Sequence, residues 1–344
     1  MNLQIVIEIG GNMIISKIVT VVVPCFNNAT TIGETIESVL QQTVPNWELI
    51  CVDDGSSDDT TDVIKKYVEK DDRIKLLKRD TDPKGGSHCR NIGAFAAEGE
   101  YLIFLDGDDL LARTCIENRL KSIVDTNYDF VVFPMGRFIN NDINNQIKAG
   151  RLYENRDYLY YYASGNAGWP ITSPIIKKSF FVSLGGFDVR FQRSQDIEFN
   201  LRAIALTEGG YKVECKKEAD CFYRIGATIS GIPMAKFKKA LESYPLLLEL
   251  LDNLDKKSVF KDKWKLSKAK AVIFCNGFIQ YDVLKLNKSM VDFPGWLNKE
   301  NIPQGLSLKE RMLIGILYVT VQFTRLNFWL ARFASKYIRT SFER

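Results

Sequence analysis

Tyr101-Leu102-Ile103-Phe104-Leu105-Asp106-Gly107-Asp108-Asp109 is the stretch on which the reading of this chain turns. A short, unbroken apolar run such as 101–105 is the pattern of a strand buried on both faces. Here it ends in Asp106, Asp108 and Asp109, an arrangement that is costly at a buried strand end without a counter-ion. Gly107 allows the chain to turn sharply between the carboxylates. Asp106 and Asp108 suit a divalent cation shared with a diphosphate, because the ion turns the repulsion between carboxylate and phosphate into attraction. The cluster therefore predicts both a metal and a diphosphate-bearing ligand.

Working outward, further strand-like runs lie at 18–23, 49–52, 74–77 and 130–133, with helical patterns at 30–42, 59–70, 89–97 and 114–126 between them. In the first helix Ile32, Ile36, Val39 and Leu40 share a face, and Thr31 with Glu34 forms a capping-box pattern. Alternating strands and helices with short connections predict an α/β fold with a mostly parallel sheet, whose ligands bind beyond the carboxyl ends of the strands. A second acidic loop, Asp53-Asp54-Gly55-Ser56-Ser57-Asp58, follows the second strand, although Asp58 and Asp59 also suit turn and helix-cap roles. The loop after the first strand, Pro24-Cys25-Phe26-Asn27-Asn28, contains no glycine, and no G-K-[ST] loop occurs. Dinucleotide-binding and P-loop readings lose most of their support.

The 344 residues exceed what one ordinary core needs, so about two structural units are expected. Seven scattered cysteines without a C-x-x-C pair read as free thiols of a reducing cytosol, and a single histidine, His88, leaves any metal to oxygen ligands. Residues 1–15 lack the basic start of a secretory signal, and the apolar run 312–321 is too short to cross a bilayer. Residues 1–230 hold 26 Lys plus Arg against 32 Asp plus Glu; residues 231–344 hold 20 against 10. Such asymmetry suggests different partners for the two parts.

Val21-Val22-Val23-Pro24-Cys25-Phe26-Asn27, then residues 48–58, then Arg90-Asn91-Ile92-Gly93, then residues 99–109 together resemble the inverting family 2 glycosyltransferases of GT-A fold. The resemblance implies a nucleoside-diphosphate sugar, with UDP suited to Asp54 as acceptor for a uracil imide. It places the base and ribose near Pro24, Asn27, Asp54 and Asp106, and makes Asp108 the ligand of a divalent metal, Mn2+ or Mg2+. Arg90 matches the family's Arg-Asn pair and would reach the diphosphate or the Asp cluster, a purely structural ion pair being the alternative. Gly185-Gly186-Phe187-Asp188 followed by Gln195-Asp196 resembles the family's second landmark, which makes Asp196 the general base. Two positions depart from the pattern: Gln195 stands where an acidic residue is usual, and Gly226 where many relatives have histidine.

Tyr158, Tyr160, Tyr161, Tyr162 and Trp169 form an aromatic stretch that suits either acceptor stacking or core packing; Trp169 and Gln195 are the acceptor-side candidates. Residues 236–270 read as helical, and from Leu308 onward basic and aromatic residues recur on a helical pattern. This segment suits an anionic membrane surface, with packing on its own domain or in a dimer as the competing explanation. Nucleic acid is not expected as a partner.

The expected layout is an N-terminal extension over 1–16, a GT-A domain over 17–232 and a helical basic region over 233–344. The expected activity is metal-dependent, inverting transfer to an acceptor hydroxyl, such as a lipid-linked glycan of bacterial surface polysaccharide, on the cytoplasmic face of the inner membrane. A sugar-1-phosphate nucleotidyltransferase and a non-catalytic nucleotide-sugar-binding protein are the rival readings.

Overall fold

The computed structural model describes residues 19–139, 142–148, 152–225, 234–286, 301–314 and 327–340. The extension over 1–16 and Gly226 lie outside them.

The chain begins with β1 (Val19–Cys25), α1 (Ile32–Leu40), β2 (Trp47–Asp53), α2 (Thr60–Val68), β3 (Ile74–Lys78) and α3 (Gly86–Ala96). It continues through β4 (Tyr101–Phe104), β5 (Leu110–Leu111), α4 (Cys115–Ile123), β6 (Phe130–Val132), β7 (Met135–Ile139) and β8 (Asp142–Lys148). Then come α5 (Tyr158–Ala163), β9 (Pro174–Lys177), α6 (Lys178–Ser183), α7 (Gln195–Leu206), β10 (Tyr211–Val213) and β11 (Cys221–Ile225). The last helices are α8 (Met234–Lys256), α9 (Lys263–Leu286) and α10 (Asn327–Thr340).

Seven strands form the main sheet in the order β10-β6-β9-β4-β1-β2-β3, parallel except where β9 runs antiparallel between β4 and β6. Every residue of β2 is buried, as is all of β1 but Pro24; four valines make up most of β1, and Leu49, Ile50 and Val52 line β2, because branched side chains pack well on a doubly covered sheet. The chain leaves β1 on one side for β2 and β3, then crosses back to lay β4 on the other side. That reversal makes the carboxyl ends of β1 and β4 a topological switch point, where a crevice opens for ligands. Buried Glu48 holds neighbouring strands together at the opposite edge, near their amino ends: its carboxylate accepts from the Thr20 hydroxyl at 2.6 Å and the Gly99 amide at 3.2 Å, and pairs with Lys75.

A four-stranded sheet, β5-β11-β7-β8, has no counterpart in the sequence reading. Two local expectations are also corrected. Thr31 caps no amide of α1; its hydroxyl donates instead to the Gly107 carbonyl at 3.0 Å. α3 begins at Gly86, three residues earlier than the apolar pattern suggests.

The described residues form two compact units that interleave in sequence. The first takes residues within 19–155, 169–189 and 207–225 and contains both sheets. The second is helical. It takes Arg156–Gly168 and Arg190–Leu206, hence α5 and α7, together with α8, α9 and α10. The units therefore do not divide at 232/233. Inside the second unit the Tyr160 hydroxyl donates to the Asp262 carbonyl at 3.2 Å and accepts from the Asp262 amide at 2.8 Å, and the Phe260 ring lies 5.6 Å from that of Tyr160.

Candidate active site

In the first unit the loops beyond β1, β2, β3 and β4 meet at the switch point. Asn27 adopts a left-handed backbone (φ 53°), which suits its short polar side chain. Its Oδ1 accepts from the Ser57 amide at 2.8 Å, and its own amide donates to Ser56 Oγ at 3.1 Å. Asn27 thus ties the β1 loop to the β2 loop. Gly107 lies so close to the β1 loop that a Cβ there would sit 3.0 Å from Asn28 Oδ1 and 3.4 Å from the Pro24 carbonyl oxygen.

The two aspartates after β2 have separate duties. Asp53 is buried and receives the Gly55 and Ser56 amides at 3.2 and 3.1 Å, which shapes the turn. Asp54 is also buried, and its Oδ1 accepts from Arg79 Nε at 2.5 Å and from the Gly85 amide at 3.3 Å. Arg79 was not among the residues singled out from sequence. It directly follows β3, the third parallel strand, and the rule that ligand groups gather at strand carboxyl ends is the signal that finds it.

The Arg-Asn pair is a two-way clamp. Arg90, buried, donates from its guanidinium to Asp106 Oδ1. Next to it, Asn91 accepts from the Phe187 amide at 2.8 Å and donates to the Phe187 carbonyl at 2.9 Å. Gly186, at φ 74°, is required here, since a Cβ would stand 2.5 Å from Asn91 Oδ1. One turn of α3 therefore fixes both the aspartate cluster and the Gly185-Gly186-Phe187-Asp188 landmark.

Asp106 keeps its side chain 39% exposed. Arg224 of β11 holds the rest of the cluster from the second sheet: its Nε donates to the Asp108 carbonyl at 2.7 Å, its amide to Asp109 Oδ1 at 3.0 Å, and its guanidinium pairs with Glu34. Burial, then the charge of Asp106, raises the Asp108 carboxyl above its ordinary range. Asp109, 1% exposed, is pushed up to about 8 by burial, then by Asp106 and Asp108, while the Arg224 amide opposes the rise. Its Oδ2 is buried without a hydrogen-bond partner.

A divalent cation fits this chemistry. The donors are all carboxylate oxygens, and negative charge is left in excess after Arg90 and Arg224 are counted. Among the described residues no three His, Cys, Asp or Glu side chains form a metal cage. Mn2+ or Mg2+ needs none when one or two carboxylates and substrate phosphates share the ion.

The remaining candidates are placed as follows. Asp196 and Gln195 open α7 in the second unit, both half-buried, and the Asp196 carbonyl accepts from Asn200 Nδ2 at 2.8 Å. Trp169 belongs to the first unit and is 2% exposed, its ring 6.4 Å from that of Tyr211. Of the two readings of the aromatic stretch, burial favours core packing: Trp169, Tyr158, Tyr160 and Tyr162 are all buried. His88 lies in the first turn of α3 and not in a loop, its Nδ1 2.8 Å from the Pro83 carbonyl and its Nε2 3.3 Å from the Thr81 hydroxyl.

A mostly parallel sheet flanked by helices, with an aspartate cluster at its switch point, is the GT-A fold. Residues 20–181 match Glycosyl transferase family 2. An uncharacterized glycosyltransferase of Haemophilus influenzae is 27% identical over 270 residues, covering 77% of this chain and 98% of that protein. The Escherichia coli UDP-Glc:alpha-D-GlcNAc-diphosphoundecaprenol beta-1,3-glucosyltransferase WfgD is 28% identical over 241 residues, 69% of this chain and 87% of that one. Among solved structures, S. aureus TarS 1-349 in complex with UDP-GlcNAc superposes with a TM-score of 0.65 at 18% identity, covering 94% of this chain and 92% of that chain. That likeness establishes the fold. Among the described residues no helix is long and apolar enough to cross a membrane.

Proposed function

We propose that the protein is an inverting glycosyltransferase that moves a sugar from a UDP-sugar to a hydroxyl of a lipid-linked glycan during bacterial surface polysaccharide assembly, working at the cytoplasmic side of the membrane. The observation that carries this reading is the convergence of Asp54, Arg90, Asp106 and Asp108 at the switch point of a family 2 domain. The UDP-GlcNAc complex of TarS and the name of WfgD support the donor and acceptor classes. Seven free cysteines, six of them buried, support a reducing compartment.

Pro24, Asn27 and Asp54 bind the nucleoside, with Arg79 orienting the Asp54 carboxylate. Asp106, steadied by Arg90, takes the ribose or diphosphate side. Asp108, with Asp106 beside it, is the residue that would hold a divalent cation, Mn2+ or Mg2+, which when bound supplies positive charge against the leaving diphosphate. Asp196 is the general base by its match to the family landmark: the acceptor oxygen forms a bond to C1, the bond from C1 to the diphosphate oxygen breaks, and the acceptor proton passes to the Asp196 carboxylate. Gln195 beside it leaves one carboxylate fewer than the family's usual pair. Helices α8, α9 and α10, which share a unit with α5 and α7, serve acceptor or membrane.

A panel of nucleoside-diphosphate sugars tests the reading. Release of UDP from one or a few donors, accelerated by a glycan-diphospholipid acceptor and stopped by chelator, is expected. Asp196→Asn should keep calorimetric UDP affinity and lose transfer. Binding of UDP-sugars with no turnover under any acceptor would overturn the enzyme reading in favour of a binding protein.

A further inference from the structure

Apart from Trp264 at the start of α9, the large apolar side chains exposed among the described residues of the second unit lie on two helical segments packed against α9. In residues 308–314, Glu310 is buried, accepts from the Ser307 hydroxyl and amide, each at 2.8 Å, and lies 3.6 Å from Lys268 Nζ of α9; Ile314 is fully buried. In α10, Ala334, Ser335 and Ile338 are buried, and Ser335 Oγ donates to Asn276 Oδ1 of α9 at 3.2 Å. Lys268 and Asn276 lie about 12 Å apart along α9, two turns of helix.

The outward sides of both segments have one composition. Leu308 and Met312 are 74% and 58% exposed, with Lys309 and Arg311 exposed between them. On α10, Phe333 and Tyr337 are 59% and 42% exposed, their rings stacked at 6.2 Å, with Arg332 and Lys336 exposed beside them. Every exposed charge among the described side chains of these two segments is basic, the one carboxylate, Glu310, being turned in toward α9. A helical face that alternates apolar groups with lysine and arginine matches a layer of anionic headgroups over hydrocarbon. A second copy docking through the same face would set these like charges against each other.

We propose that Leu308, Met312, Phe333 and Tyr337, flanked by Lys309, Arg311, Arg332 and Lys336, dock the protein on an anionic lipid surface. The apolar groups enter the boundary between headgroups and acyl chains, and the cations pair with headgroup phosphates. The inference goes beyond the proposed reaction and holds without it, because docking is measured with neither donor nor acceptor.

The test is co-sedimentation of the full chain with vesicles of phosphatidylcholine alone or mixed equally with phosphatidylglycerol, at low and high salt. Binding to the mixed vesicles at low salt, lost at high salt and absent with phosphatidylcholine, is expected. Arg332→Ala with Lys336→Ala should weaken it about 30-fold, from about fivefold for each charge near the surface. Phe333→Ser with Tyr337→Ser should weaken it too. All four positions are exposed, so unchanged thermal midpoints are expected in both double variants and show that the fold is kept. Wild-type protein left in the supernatant with mixed vesicles at low salt, or pelleted equally in both variants, would overturn the proposal. So would a solution dimer that Phe333→Ser with Tyr337→Ser dissolves, which would assign the face to a second copy, or an acidic protein partner bound through it with no affinity for either vesicle.

Discussion

At Asp108 the exchange of one carboxylate oxygen for an amide nitrogen separates chemistry from folding. Its carbonyl, which Arg224 uses, survives Asp108→Asn, while the charge that would hold the cation is lost. The expected outcome is a fall in turnover of at least about 100-fold at saturating Mn2+, taking the removed charge stabilisation as about 2.7 kcal/mol or more, with the unfolding midpoint unchanged or raised. Turnover equal to wild type at saturating metal would remove Asp108 from the site. Arg79→Ala probes the nucleoside end. It leaves Asp54, whose side chain is 8% exposed, without its charged donor. Loss of a hydrogen bond between charged groups is worth about 1.5–3 kcal/mol, so UDP affinity by calorimetry should fall about 10- to 150-fold. Unchanged affinity would make Arg79 a purely structural partner of Asp54. The aspartates were legible in the sequence because three carboxylates at the end of an apolar run have few innocent explanations. Arg79 was less so: its place just after β3 marks it as a ligand-side residue, but only its bond to Asp54 reveals its part.

Elements built by local periodicity were legible; those built by distant pairing were not. β1 to β4 are apolar runs and α1 to α4 repeat on one face, so their existence follows from the chain alone, with ends displaced by up to three residues. β5 has two residues, and β7 and β8 hold Gly136, Arg137, Asn144 and Asn145 amid their apolar positions, so the second sheet exists only through pairing with β11. α3 shows how an element can be legible while its duty is not. Its Asn91 side chain stands in for a strand partner, satisfying both backbone groups of Phe187, 96 residues away. Asn91→Ala should destabilise the protein by about 2–4 kcal/mol in urea titration, because it removes two buried hydrogen bonds and leaves the Phe187 amide and carbonyl without that partner. A loss under about 0.5 kcal/mol, within the range of an ordinary surface substitution, would mean that the Phe187 backbone finds other partners and that the clamp is not needed for the landmark.

For the whole molecule the decisive fact is that sequence order and compact units disagree. A boundary after residue 232 follows from the charge balance, which turns from acidic to basic there, and from the end of the family landmarks. Charge is a property of surfaces, however, and the units are set by what is buried. α5 and α7 lie before that boundary in sequence, yet they belong with α8 and α9, and the Tyr160 hydroxyl, 7% exposed as a residue, has both of its backbone partners at Asp262. A chain ending at residue 232 keeps α5 and α7 but loses Asp262, Phe260 and the buried faces of α8 and α9 that complete their unit. It would expose buried aromatic and aliphatic side chains worth about 1.5–3 kcal/mol each, on a scale where a whole domain is stable by about 5–15 kcal/mol. The expected outcome is that the 1–232 fragment lacks a single cooperative thermal transition, binds a hydrophobic dye and shows fast amide exchange across α5 and α7, whereas the full chain melts cooperatively with those amides protected. A fragment that unfolds in one sharp transition, with α5 and α7 protected as in the full chain, would show that the first 232 residues complete their own core and that the helices after them are an appendage.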